Sequence, residues 1–322
     1  LSGNLAIHAD GLDGVPHPIT PLALGNICTF SHVKRGYIDR LIKEGDPEFA
    51  ASALNREFQV NHGVRMGRFL DDHLRFLGSD RYRRFDVLHT LQAVIPTIGA
   101  DQEWHVQECS FTERQFHMRV VRRSTEAEIR VGDTVYAGMD IRTSEVGCGA
   151  LQISEVIMRL LCTNGMVNAD KGLRRIHLGR QEAEGFLASN EAMQAEDAMI
   201  MLKARDAIEQ LARPESFMET VALLKGTAEA DIDEPAAATL VLADSFNMNQ
   251  TEQDALVNNM MAEGDTTVWG LLNAVTATAR DMVDYDRKVE LESAASNLAM
   301  SGNYGRLQRV TMKDVSKKRL AA

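Results

Sequence analysis

This sequence is short of several things, and each shortage excludes something. Cysteine is scarce: Cys28, Cys109, Cys148 and Cys162 are the only four in 322 residues, too few for a disulfide framework. A reducing compartment, the cytoplasm, is the expectation. No apolar run approaches the roughly 18 residues a membrane span needs, so no membrane partner is expected. The opening LSGNLAIHADGLDGVPHPITP has neither the basic nor the apolar stretch of a secretory leader. No phosphate loop, G-x-S-x-G elbow or HExxH motif occurs, and the G-x-G at Gly147–Gly149 is not followed by the rest of a dinucleotide fingerprint. No period of 20–50 residues repeats, which excludes a solenoid.

Positive charge is also in deficit, 35 Lys and Arg against 46 Asp and Glu, a net −11. That total argues against a nucleic-acid partner only until it is divided. Residues 1–180 hold 22 basic and 22 acidic side chains, residues 181–301 hold 7 and 23, and residues 302–322 hold 6 and 1. Lysine is nearly missing from the first segment, where 19 of the 22 basic residues are arginine. Arginine excess suits planar recognition of phosphates, although a genome rich in G and C produces the same bias.

The hydrophobic pattern changes at the same place. Thr20-Pro21 reads as a helix cap, and short helices fit 21–29, 33–43 and 47–58. VRMGRFLDDHLRFLG reads as two strands about an Asp71-Asp72 turn. A helix over 85–96 is ended or kinked at Pro96. Strands follow at 104–109, 115–123, 133–143 and 149–162, the last also compatible with a helix. From 181 the pattern is helical, with one long final helix from near Thr267 to about Met300. The expectation is an α+β fold. Residues 1–180 form a body with an antiparallel sheet packed by helices, 181–301 an acidic helical region, and 302–322 a basic tail.

The most distinctive chemistry is basic. Arg81, Arg83 and Arg84 interleave with Tyr82 and Phe85. Arg119, Arg122 and Arg123 follow Arg114 and Phe116 along one strand, Arg142 sits on the next, and Arg174 and Arg175 precede His177. Arginine for phosphates with aromatic faces for bases is what single-stranded nucleic acid requires. On this reading Arg81, Arg83, Arg84, Arg119, Arg122, Arg123 and Arg142 contact phosphates, Arg174 and Arg175 belong to the same nucleic-acid-binding set, and Tyr82 and Phe116 stack. Arg119 and Arg123, four apart, share a strand face. The plain alternative pairs these arginines with Asp80, Asp86, Glu113 and Glu126. Metal chemistry finds little support. Cys28/His32 and His105/Cys109 have i, i+4 spacing without a matching second pair, and the acidic pairs lack a convergent partner. No cofactor is expected.

Five blocks, 19–41, 52–58, 74–96, 137–166 and 172–179, taken in order and spacing, resemble the phage/plasmid-like family of domains of unknown function numbered 932, and 265–281 is similar to its helical C-terminal part. The resemblance implies a phage- or plasmid-encoded protein of the host-cell cytoplasm, and it supplies no catalytic residues to carry over. The strand–strand–strand arrangement beside a helix also looks like the core of single-strand annealing proteins. The expected function is therefore a single-stranded DNA-binding protein, a strand-annealing recombinase working without catalytic chemistry as a homo-oligomeric ring or filament, with replication or recombination proteins as further partners. The alternatives are a phage structural or interaction protein that oligomerises without DNA, and a metal-dependent enzyme on nucleic acid.

Overall fold

The computed structural model describes residues 5–7, 15–61, 63–79, 82, 86–160, 165–175 and 190–320. A two-residue pair, β1 (Ala6–Ile7) and β2 (His17–Pro18), leads into α1 (Pro21–Phe30), α2 (Arg35–Lys43) and α3 (Pro47–Val60). Thr20 and Asp46 cap α1 and α3 by accepting from the amides of Ala23 and Phe49, and a proline follows each cap, where its missing N–H costs nothing. The three helices share a core of Leu24, Ile27, Ile38, Leu41, Ala50 and Leu54. Cys28 lies buried in the same core, and the described residues contain no His/Cys/Asp/Glu group able to hold a metal ion.

The hairpin β3 (Arg65–Leu70) and β4 (His73–Ser79) turns on Asp71-Asp72, as expected. Both aspartates have positive φ, 48° and 61°, as a two-residue turn matched to strand twist requires. Next comes α4 (Val87–Gly99), which carries Pro96 in its last turn and continues past it. The continuation keeps Val94 and Ile98 on one buried stripe.

The centre is an antiparallel sheet in sequence order: β5 (Trp104–Phe111), β6 (Phe116–Arg130), β7 (Asp133–Thr143), β8 (Leu151–Arg159) and β9 (Gly165–Arg175). The segment compatible with either strand or helix is thus a strand. The helices α5 (Asn190–Leu211), α6 (Pro214–Ala228), α7 (Pro235–Ser245), α8 (Gln250–Glu263), α9 (Val268–Arg280), α10 (Tyr285–Ser301), α11 (Gly305–Arg309) and α12 (Met312–Leu320) follow. This is the α+β arrangement with a helical C-terminal part. The single final helix expected from Thr267 to Met300 is two helices, because the Asp284 carboxylate caps α10 by accepting from the Arg287 amide. The basic tail is helical and tethered: Leu307, Val310 and Val315 enter the core, and Glu234 accepts from the Met312 amide. No helix of the described residues is long and apolar enough to cross a membrane.

Strand alternation gives the sheet two unlike faces. Phe116, Met118, Val120, Met139, Ile141 and Ile153 point one way and pack on Val94 and Ile98 of α4 and on Ala204 and Ile208 of α5. Farther along that side, Val135, Ala137 and Ile157 join a core with Phe217, Val221, Trp269 and Leu291 of the C-terminal helices. Buried Trp269 donates its indole N–H to Asp133 (2.8 Å), which also receives Arg159 (2.6 Å). The opposite face carries His117, Arg119 and Asp140 beneath α10.

Candidate nucleic-acid interface

Register builds a polar row across the second face. His117 pairs with Arg142, Arg142 with Gln152, and Gln152 with Arg174, on four adjacent strands. Directly opposed residues share a sheet face, so the row presents one side. With neighbouring strands roughly 4.8 Å apart, the backbones of Arg142 and Arg174 stand about 10 Å from each other. The row opens into a cleft of about 810 Å³. Its sheet wall is Arg114, Gln115, Arg142, Gln152 and Arg174. Asn247, Asn249 and Glu252 at the start of α8, and Asp284, Asp286, Arg287, Glu290, Ser293 and Asn297 on and before α10, form the other wall.

The walls differ in how their charges are used. Arg287 is held by Glu252 and Glu290, each at 2.9 Å, and by the carbonyls of Phe246 and Asn247. The Glu252 hydrogen bond is the largest influence raising the Arg287 pKa above its ordinary value. Arg142 Nε lies 2.9 Å from Asp140 Oδ2. Arg114 and Arg174 are exposed, and neither has a carboxylate within ion-pair distance among the described residues. Buried Ser293 Oγ has no hydrogen-bond partner among the described residues.

Beneath the cleft, α10 is fixed to the sheet by three polar tethers. Asp286 Oδ1 lies 2.9 Å from His117 Nε2, Lys288 Nζ donates to both Glu108 oxygens (2.7 and 2.8 Å), and Arg119 donates to Glu292 (2.5 and 3.2 Å) and Asp140 (3.3 Å). Burial works against the Arg119 charge, but Glu292 and Asp140 outweigh it and push its pKa up. For His117 burial outweighs Asp286, and its pKa is lowered.

The cleft brings together Arg142 and Arg174 of the sequence-predicted set. Arg119 does share a face with Arg123, but it is only 1% exposed and is spent on Glu292 of α10 and Asp140 of β7, so it is unavailable to a ligand in this structure. Phe116, expected to stack, is 6% exposed and belongs to the core. Arg122 points to the other side, donating to the Ala212 carbonyl and pairing with Asp101 at 3.2 Å. Arg123 is exposed beside a separate cavity of about 150 Å³ with Val121, Tyr136 and Met158. The Tyr82 ring leans on Phe76 (centroids 4.9 Å apart) and on Gly147, and burial pushes its hydroxyl pKa up to about 12. Arg81, Arg83, Arg84 and the side chain of Arg175 lie outside the described residues. The amides Gln115, Gln152, Asn247, Asn249 and Asn297 also line the cleft, and their residue types carry no signal in the sequence until register and packing gather them.

The family model described as Domain of unknown function (DUF932) matches residues 79–301. That span holds the five-stranded sheet, α4 to α10 and every residue lining the cleft, and excludes α1–α3 together with the blocks at 19–41 and 52–58. No curated protein matches the chain, and no solved structure does.

Proposed function

The chain belongs to the DUF932 family, and we propose that its cleft binds single-stranded DNA by the phosphates, in a homo-oligomeric protein that anneals strands without catalytic chemistry. The observation carrying this reading is the pair Arg114 and Arg174, exposed on one wall with Arg142 between them and unpaired among the described residues. Guanidinium groups so placed release counterions when phosphates bind. Among the described residues no aromatic side chain lines the cleft. Bases would therefore stay off the protein walls and remain open to a complementary strand, which suits annealing better than base reading.

The test is fluorescence anisotropy of a labelled oligonucleotide across a salt series. Binding that weakens steeply with salt is expected. The double variant Arg114→Glu/Arg174→Glu should lose at least tenfold in low-salt affinity, and losing two single-strand phosphate contacts should flatten the log–log slope by roughly 1.4. No binding at low salt, or an unchanged slope, overturns the proposal. The volume also falls within the range of small-ligand pockets. A mononucleotide that competes as well as a long oligonucleotide would favour a nucleotide-sized ligand instead.

A further inference from the structure

Residues 15–61 lie outside the span matched by the family model and carry a surface that the cleft does not use. α2 and α3 are joined by the short turn Glu44-Gly45-Asp46, with Gly45 at φ +88°, a conformation that favours glycine. α1 packs on both. A helix, a three-residue glycine turn and a second helix on a shared core are the connection that helix-turn-helix units use, in which the second helix lies in a DNA groove.

The exposed side chains fit that use. Ala50 and Leu54 bury one side of α3, while Ser52, Asn55, Arg56 and Gln59 stand exposed at i, i+3, i+4 and i+7. Arginine reads guanine, asparagine and glutamine read adenine, and serine serves either. At the leading end of the helix, exposed Glu48 and Phe49 offer an acceptor for a cytosine amino group and an apolar contact for a thymine methyl. On α2, Ile38 and Leu41 are buried, and Lys34, Arg40 and Lys43 are exposed with Tyr37, whose ring lies under the Arg40 guanidinium. The Arg40–Glu44 pair is long and exposed, so it holds Arg40 weakly. The Asp46 carboxylate is occupied in capping α3.

The geometry points to a second nucleic-acid site, in which the N-terminal helices read duplex DNA, α3 entering the major groove and α2 gripping the phosphates. This site does not rest on the cleft. The experiment selects from a randomised duplex library with the full chain at low salt, then measures affinity for the enriched and a shuffled duplex. An enriched sequence is expected. Asn55→Ala/Arg56→Ala/Gln59→Ala, all at exposed positions, should weaken binding to the enriched duplex roughly 10- to 100-fold, down to the shuffled level. Lys34→Ala/Arg40→Ala/Lys43→Ala should weaken both duplexes alike. The proposal is overturned if no duplex is retained, if nothing is enriched, if the α3 variant keeps its preference, or if duplex binding is lost only in Arg114→Glu/Arg174→Glu. Duplex selection without single-strand binding would sink the cleft reading and leave this one standing.

Discussion

Arg119 and Arg123 stand on one face of one strand, four residues apart, and meet opposite fates. α10 crosses the sheet above Arg119 and supplies Glu292, so that guanidinium is sealed between two carboxylates. Among the described residues nothing comparable lies above Arg123, and the side chain meets solvent. A related contrast separates the two faces of the sheet: the first is held mainly by apolar packing, the second by a buried ionic cluster beside a smaller apolar one. An arginine on a strand is thus left to solvent or made a structural ion according to what the chain brings over it.

Four measurements test this contrast. The largest effect is expected from Glu292→Ala, which strands a buried guanidinium and should cost about 3–5 kcal/mol in urea unfolding. Arg119→Met combined with Glu292→Leu should recover most of that loss, because the stranded guanidinium is gone and Asp140 keeps Arg142 at 2.9 Å. On the apolar face, Ile153→Ala should cost about 2–5 kcal/mol through lost burial and a cavity. Third is a pH effect. The pKa of His117 is lowered in the folded protein, so the unfolded chain binds its proton first as pH falls. Its contribution is present above the unfolded value of about 6.5 and is lost as pH drops from there through the folded pKa, at no more than roughly 1.4 kcal/mol per pH unit. The difference in unfolding midpoints between the parent and His117→Gln across pH 8 to 5 isolates it, and parallel profiles would refute it. The smallest effect belongs to Arg123→Ala, within about 0.5 kcal/mol by the same unfolding assay.

Much of the fold was legible because its signals are local. Thr20-Pro21 announces a helix start, Asp71-Asp72 announces a hairpin, and runs rich in β-branched and aromatic residues announce β6 and β7. What stayed hidden depends on residues far apart in sequence. No local pattern reveals that Glu292 lies 173 positions after the arginine it neutralises, or that Gln152 stands between Arg142 and Arg174. The strand β9 was hidden too: Gly172, at φ +132° against the Ile153 carbonyl, reads locally as punctuation. The candidate site was half legible for the same reason. Its arginines are visible as residue types, but whether each is free or spent is decided by partners distant in sequence: Glu292 for Arg119, Asp101 and the Ala212 carbonyl for Arg122.

The tethers of α10 join positions 169, 173 and 180 residues apart. During synthesis the strands bearing His117, Arg119 and Glu108 therefore leave the ribosome long before their counterparts exist. A nascent chain that has not reached residue 285 holds a sheet with one face already cohesive and the other carrying charges that resist burial. Folding by such distant contacts is slow, and chains halted in that interval expose the strands to one another. Premature termination within the last helices should thus yield aggregated rather than merely inactive protein.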